Sequence, residues 1–171
     1  QTLKFGRAQE PPPVRDRLLL RDLAEEVIEN AVVQSSSRIV FYNQVPDGMS
    51  ADADREHLNR VLTNLTRNAI QAIEHAQSET LDRPEGRVTL RGWREGTVTT
   101  IEVKDNGPGI PERVRGKLFE AFQSAARSGG TGLGLTIASE LIRSHGGDIK
   151  LVSTGDDGTA FVIIIPDSAT E

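Results

Sequence analysis

Residues 97–111 read TVTTIEVKDNGPGIP, a strand pattern that runs into a glycine-containing loop. Ile101 and Val103 are core-type residues two positions apart, and Asp105 continues their alternation on the same face of the strand. The pattern therefore predicts a carboxylate that points inward. The tripeptide DNG is also an ordinary turn signal, but residues 108–119 (PGIPERVRGKLF) show no alternation that would complete a hairpin. A buried acceptor beside a glycine-lined floor suits a donor such as an exocyclic amino group.

Further strands and helices surround this stretch. RVTLRGWRE (87–95) precedes it and predicts a hairpin that turns at Glu95–Gly96, and DIKLVST (148–154) and TAFVIIIP (159–166) flank the turn GDDG. RIVFYNQV (38–45) predicts another strand. LAEEVIENAVVQ (23–34) predicts a helix, with Asp22 and Glu25 as its capping box. A second helix from about Asp54 carries one apolar stripe, formed by Leu58, Val61, Leu62, Leu65, Ala69, Ala72 and Ile73. Helices beside hairpins predict an α+β sandwich.

Composition limits the class of protein. The 171 residues are 36% hydrophobic and 26% charged, which predicts one globular domain. The net charge of -5, with scattered Lys and Arg, argues against nucleic acid as a partner. The longest apolar run, FVIII, is far shorter than the ~20 residues of a membrane span, and the absence of cysteine excludes disulfides and thiol chemistry. Three prolines at 11–13 predict a boundary, with residues 1–17 as a linker, 18–166 as the domain and 167–171 as a tail.

The second glycine-rich loop, SGGTGLGLT (128–136), opens a predicted helix. It is not a Walker A loop, because Leu135 stands at the lysine position, and it lacks the third glycine and preceding strand of a dinucleotide fingerprint. The helix face is formed by Gly134, Ile137, Ala138, Leu141 and His145. Free N–H groups and the positive end of the helix dipole suit an anion, although a flexible hinge is an equal alternative for this loop alone.

Two asparagines, Asn64 and Asn68, lie one turn apart at the edge of the stripe on the second helix. A buried amide must find a partner, so the pair either caps a neighbouring loop or supplies carbonyl oxygens to a hard cation such as Mg²⁺. The spacing of the three histidines fits no metal site. His145 lies in a last helical turn before two glycines, where a cation complements the helix dipole, and a structural or solvent-facing role is expected for each of the three histidines.

Five segments, in order, are NLTRNAIQAI, DNGPGIP, LFEAF, GGTGLGL and GTAF. They resemble the N, G1, F, G2 and G3 boxes of the catalytic and ATP-binding domain of bacterial sensor histidine kinases, in the GHKL superfamily, and are similar to the nitrogen-regulation type. The resemblance covers residues 18–166. It implies a two-layer α/β sandwich of the Bergerat type, with a mixed sheet covered on one face by helices, and a protein-histidine kinase with ATP and Mg²⁺ as cofactors.

The resemblance also implies a role for individual residues. Asn68 would coordinate Mg²⁺ with help from Asn64, and Asp105 would accept the adenine amino group. The base would be lined by Ala72, Gly107, Gly109 and Ile110, with Thr159 on the adenine side. Phe119 and Phe122 would anchor a lid over Gln123–Gly129. Phosphate would be held by Gly130, Thr131, Gly132, Leu133, Gly134 and Leu135.

Two positions depart from the family pattern. Many relatives carry lysine where Gln71 stands, and lids of the nitrogen-regulation type often have lysine where Ala126 stands, so two phosphate-facing cations are absent. Arg127 is adjacent and could stabilise charge on the transferring phosphoryl group as a catalytic residue. The alternative for this arginine is a solvated loop side chain.

The kind of activity turns on Asn64. ATP hydrolases of the superfamily resemble one another in placing a glutamate, as general base, where Asn64 stands, which favours a kinase here over a hydrolase.

No histidine here is followed by a phosphoacceptor motif, so the acceptor is expected in an upstream helical dimerisation domain, with a response regulator receiver domain as a further partner. The alternative is a nucleotide-binding docking module without kinase activity. We expect this fragment to be cytoplasmic and monomeric, and its parent protein to be a homodimer. A membrane anchor could lie upstream in the parent protein.

Overall fold

The computed structural model describes residues 12–36, 38–80, 82–116, 118 and 132–168. Seven strands and four helices are found among these residues. In chain order they are β1 Asp16–Leu19, α1 Leu20–Gln34, β2 Ile39–Gln44, β3 Ser50–Ala53, α2 Arg55–Glu79, β4 Gly86–Glu95, β5 Val98–Asp105, α3 Glu112–Arg115, α4 Gly132–Arg143, β6 Asp148–Gly155 and β7 Gly158–Pro166.

The main sheet has five strands in the order β2-β4-β5-β7-β6. β2 and β4 run parallel, and the other neighbours are antiparallel, so the sheet is mixed as predicted. Both predicted hairpins are present, and the turn between β4 and β5 uses Gly96 at φ +63°. The helices α1, α2 and α4 pack on this sheet around one hydrophobic core. The α+β two-layer sandwich is confirmed.

The long helix α2 shows why the apolar stripe predicts a helix. Asp54 is its N-cap, and its Oδ1 accepts hydrogen bonds from the N–H groups of Glu56 (3.0 Å) and His57 (3.1 Å). The stripe residues other than Ala72 are buried against α1, α4 and the sheet. No helix among the described residues is long and apolar enough to cross a membrane.

The predicted capping box of the first helix is wrong. α1 begins at Leu20, three residues before the predicted start, and Leu19 at its N-cap makes no side-chain cap. The Leu20 N–H instead donates to the Met49 carbonyl at 3.0 Å, because β1 runs directly into the helix beside the loop before β3. Asp22 lies in the first turn, where its charge complements the helix dipole.

A two-stranded sheet of β1 and β3 was not predicted. Its strands have four residues each, too few for an alternation to stand out. β1 begins at Asp16, inside the stretch assigned to the linker. Before it, the Arg15 guanidinium donates to the carbonyls of Asp52 (2.9 Å), His145 (3.1 Å) and Pro166, and so joins this segment to the ends of α4 and β7.

His145 has a structural role at the end of α4, as a neutral ring rather than as a cation. Its ring is 2% exposed, Nδ1 donates to the Leu141 carbonyl at 2.8 Å, and Nε2 accepts the Asp54 N–H at 3.0 Å. These two bonds need the neutral ring, and burial lowers the pKa of His145. The Arg15 guanidinium, which contacts the His145 carbonyl, supplies the positive charge at this helix end instead.

Candidate nucleotide-binding site

The inward-facing carboxylate predicted from the alternation is present at the end of β5. Ile101 and Val103 are buried, and Asp105 follows on the same face. The Gly107 N–H donates to Asp105 Oδ1 at 2.8 Å, and the Thr159 N–H, from the neighbouring strand β7, is a second donor to this carboxylate. Two strands and one turn therefore hold the carboxylate in place.

Burial raises the pKa of Asp105 to about 6, and the Gly107 and Thr159 N–H groups oppose that rise by stabilising the ionised form. A carboxylate with this pKa is ionised at neutral pH but incompletely solvated. It is therefore well suited to accept hydrogen bonds from a ligand that brings its own donors.

A glycine-lined floor lies beside this carboxylate. A side-chain Cβ placed on Gly107 would meet Asp105 Oδ1 at 3.1 Å, Ile73 Cγ1 at 3.4 Å and Ala72 Cβ at 3.8 Å. The structure thus brings together Ala72 from α2, Asp105 from β5 and Gly107 from the following loop. Ile73 belongs to the same surface, whereas the sequence pattern predicts it only as a core residue.

The rest of this loop is attached to the β6–β7 hairpin. Gly109 has φ +89°, and any side chain there would run into the Gly155 carbonyl, so only glycine allows the close approach. The Ile110 N–H donates to Thr154 Oγ1 at 2.8 Å, and the Thr154 and Thr159 hydroxyls are 2.9 Å apart.

Thr154 was missed in the sequence, although a signal for it exists. In a hairpin that turns over Asp156 and Asp157, Thr154 and Thr159 occupy symmetric positions and form a cross-strand pair. Thr159 itself is buried, at 6% exposure, beside the Asp105 carboxylate. Thr154 therefore holds two of the predicted adenine-contacting residues, Ile110 and Thr159, in place through hydrogen bonds.

Asn64 and Asn68 are both half-buried on α2, which packs against α4. They lie one helical turn apart on the edge of the buried stripe, as predicted. Neutral amide oxygens one helical turn apart could serve as ligands of a hard cation such as Mg²⁺. Gln71 is exposed.

The helix predicted after the glycine loop is confirmed as α4, which begins at Gly132. Leu135 is 6% exposed, and Ala138 and Leu141 are fully buried, so its apolar face packs into the core. In the first turn the N–H groups of Gly132, Leu133 and Gly134 precede the first intrahelical hydrogen bond, and this position suits an anion. The predicted sites at Phe119, Phe122, Gln123–Gly129 with Ala126 and Arg127, Gly130 and Thr131 lie outside the described residues.

Cavity size alone does not identify the site. A groove of about 480 Å³ lies between β1 and the start of α2, where Val14, Leu19 and Glu56 are among its lining residues. None of the predicted site residues borders it. The site is recognised by the convergence of the Asp105 carboxylate with the two glycines and α2.

A family model for the histidine kinase-, DNA gyrase B- and HSP90-like ATPases matches residues 53–169. The circadian input-output histidine kinase CikA of Synechococcus elongatus is 40% identical over 120 residues, which are 67% of this chain and 15% of CikA. The nitrogen regulation protein NtrY of Azorhizobium caulinodans is 34% identical over 146 residues, 84% of this chain and 18% of NtrY. The chain thus spans less than a fifth of the length of these two relatives.

Solved structures show the same fold. Full-length ShkA in complex with AMPPNP superposes with a TM-score of 0.74 at 25% identity, covering 92% of this chain and 32% of ShkA. The histidine kinase ThkA in complex with the response regulator TrrA gives 0.70 at 27% identity, covering 90% of this chain and 42% of ThkA. The resemblance to the catalytic domains of sensor histidine kinases is confirmed, and the chain belongs to the family of histidine kinase-, DNA gyrase B- and HSP90-like ATPases.

Proposed function

We propose that this chain is the ATP-binding catalytic domain of a two-component sensor histidine kinase, which transfers the ATP γ-phosphoryl group to a histidine in a separate dimerisation domain. The observation that carries the proposal is the half-buried Asp105 carboxylate above the Gly107 floor, in a chain of this ATPase family. The AMPPNP complex of ShkA supports ATP as the nucleotide.

At the base end, Asp105 accepts a hydrogen bond from the adenine amino group, which guanine lacks at that position. Ala72, Gly107, Gly109 and Ile110 line the base. Thr159, whose hydroxyl is already joined to Thr154, orients the same edge. The site is therefore expected to prefer ATP over GTP. Guanine would place an oxygen acceptor against the ionised carboxylate, and neither group would then have a hydrogen-bond donor.

At the phosphate end, the first-turn N–H groups of α4 bind the phosphate oxygens. Asn68, with Asn64, holds Mg²⁺, which when bound neutralises and orients the phosphates. By the resemblance, Gly130 and Thr131 would also hold phosphate, Phe119 and Phe122 would anchor the lid, and Arg127 would stabilise charge on the transferring group. These residues lie outside the part of the chain that the structure describes. This part of the proposal depends on the resemblance and on the half-burial of the two asparagines.

Transfer also needs a nucleophile and a base, and the proposal places both in the dimerisation domain upstream. Asn64 is an amide, so it cannot take a proton as the glutamate of the related hydrolases would. The ThkA–TrrA complex supports a response regulator receiver domain as the second partner. We place the domain in the cytoplasm, the parent protein being a homodimer with any membrane anchor further upstream.

The metal ligand can be tested with Asn68→Ala. In the unchanged domain we expect Mg²⁺ to tighten ATP binding by at least about tenfold, and we expect the variant to lose that gain because its amide oxygen is gone. Titration calorimetry with and without Mg²⁺ measures both. Asn59→Ala is the matched control, since Asn59 is half-buried on the same helix but bonds to Glu26 and Thr63. A Mg²⁺ dependence that survives in Asn68→Ala contradicts the assignment.

The missing acceptor can be tested by reconstitution. The isolated chain should neither label itself with radioactive ATP nor turn ATP over appreciably, because the protein contributes positioning and electrostatics but no in-line nucleophile. Adding the upstream helical domain, on the same or a separate chain, should restore histidine phosphorylation.

Two results would change this conclusion. Rapid ATP hydrolysis by the isolated domain, abolished by Asn64→Ala, would move the protein to the hydrolases. ATP binding without labelling in the reconstituted system would favour the nucleotide-binding docking module, with the absent cations at Gln71 and Ala126 as the reason.

A further inference from the structure

Asn106, between Asp105 and Gly107, uses its side chain to pair with the main chain of β4. Its Oδ1 accepts the Arg87 N–H at 2.7 Å, and its Nδ2 donates to the Glu85 carbonyl at 2.9 Å. Its own main-chain N–H donates to the Arg87 carbonyl at 3.2 Å. Three hydrogen bonds thus join one residue after β5 to the start of β4.

The register of the strands explains this arrangement. β4 and β5 are antiparallel, and the first pair at this end is Val88 with Asp105, so the next pair in the same register would be Arg87 with Asn106. In a hydrogen-bonded pair of this kind, the main-chain N–H of each residue donates to the main-chain carbonyl of the other. Here the side-chain carbonyl of Asn106 replaces its main-chain carbonyl, which completes the pair while the main chain is free to turn away from the sheet.

The turn that follows positions the carboxylate. Because the main chain leaves the sheet directly after Asn106, the Gly107 N–H comes back to Asp105 Oδ1 at 2.8 Å. That N–H is one of the two donors that stabilise the ionised carboxylate. Without the side-chain amide, the Arg87 N–H and the Glu85 carbonyl lose these partners, and of the three bonds only the one from the Asn106 main-chain N–H to the Arg87 carbonyl still joins the turn to β4.

We propose that Asn106 is a positioning residue for nucleotide selectivity, which acts by completing the β4–β5 pairing with its side-chain amide and so directing the Gly107 N–H onto the Asp105 carboxylate. The inference rests on the proposed ATP-binding function. It adds a residue whose side chain bonds to the start of β4 and that orients the Asp105 carboxylate through Gly107.

The test compares Asn106→Ala with Asn43→Ala. Asn43 is a matched control because its side chain also bridges main-chain groups near a strand end, donating to the Arg21 carbonyl (3.1 Å) and accepting the Val45 N–H (3.2 Å). Two quantities are measured on each folded domain: the Kd values for Mg-ATP and Mg-GTP by calorimetry, and the pKa of the Asp105 carboxyl by carbon NMR without nucleotide.

For Asn106→Ala we expect ATP to bind about tenfold more weakly, GTP to change little, and the ATP-to-GTP preference to fall accordingly. The pKa of Asp105 should rise above its value in the unchanged domain, because a donor to the ionised form is misplaced. Asn43→Ala should leave both quantities unchanged. If the alanine variant does not fold, Asn106→Ser, a smaller change, should shift both in the same direction.

An unchanged nucleotide preference together with an unchanged Asp105 pKa in a folded Asn106 variant would overturn the inference. Failure of the proposed function gives a different result: the unchanged domain would then bind neither nucleotide, or would bind both equally. The carboxyl pKa is measured without nucleotide, so it tests the positioning by Asn106 even in that case.

Discussion

Asp105→Asn is expected to weaken ATP binding by about ten- to hundredfold and to reduce the preference for ATP over GTP. The ionised carboxylate is only an acceptor, and a hydrogen bond to a charged group contributes about 1.5–3 kcal/mol. Asparagine offers a neutral carbonyl and two donors, which suit guanine as well as adenine. Calorimetry with both nucleotides measures the effect, and unchanged ATP affinity would remove Asp105 from the binding site.

The same substitution should make the domain more stable above pH 6. The pKa of Asp105 is about 6 in the native state and 3.8 for an ordinary aspartate, so between these values the native state binds more protons than the unfolded state. Stability from this group is therefore fully present below about pH 4 and is lost as pH rises through about 6. The difference in pKa corresponds to about 3 kcal/mol in the free energy of unfolding. The unchanged domain loses this amount as pH rises through about 6, and Asp105→Asn does not.

Urea unfolding of both proteins between pH 4 and pH 8 measures this effect as the difference between the two free energies of unfolding. Taking the difference also cancels the contribution of His145, which has the opposite sign because its lowered pKa reduces stability as pH falls below about 6.5.

Asp52→Asn is the matched control. Hydrogen bonds from Ser168 lower the pKa of Asp52, so the ionised carboxylate stabilises the native state. This stabilisation is lost as pH falls, which is opposite to the effect of Asp105. A difference between Asp105→Asn and the unchanged domain that stays constant across the range would contradict a pKa raised by burial.

Gly158→Ala is expected to cost about 3 kcal/mol or more and to abolish tight ATP binding. Gly158 has φ +128°, which side-chain-bearing residues rarely adopt, and a Cβ there would overlap the Asp105 carbonyl oxygen and press on Asn106 Cα. Either the start of β7 or the end of β5 must move, and both carry donors or acceptors of the site. Strain and overpacking each cost about 1–3 kcal/mol.

Gly96→Ala is the control for conformation without crowding. Gly96 also has positive φ, at +63°, but a Cβ there would meet nothing within 4 Å. We expect it to cost about 1 kcal/mol and to leave ATP affinity unchanged. Chemical unfolding and calorimetry of both variants give the comparison. Equal losses of stability would mean that the approach of Gly158 to Asp105 carries no special cost.

Features that depend on residues close in sequence could be predicted. The alternation of Ile101, Val103 and Asp105 placed the carboxylate inward, and both hairpins formed where their turn residues indicated. The apolar stripe on α2 and the helix after the glycine loop were also recovered, because a periodicity of two or 3.6 residues is a local property. Resemblance in five short segments then identified the family.

Features that depend on distant contacts could not be predicted. The helix α1 begins at Leu20 rather than at Leu23 because β1 pairs with β3. His145 is neutral because the N–H of Asp54, 91 residues away, donates to its Nε2. Thr154 and Asn106 are polar residues near turns by sequence, and become supports of the site only through Ile110 and Arg87. The sequence by itself thus determined the local elements, the direction of Asp105 and the family. The tertiary structure decided its pKa and the residues that hold it, because burial and hydrogen bonding arise only when separate strands meet.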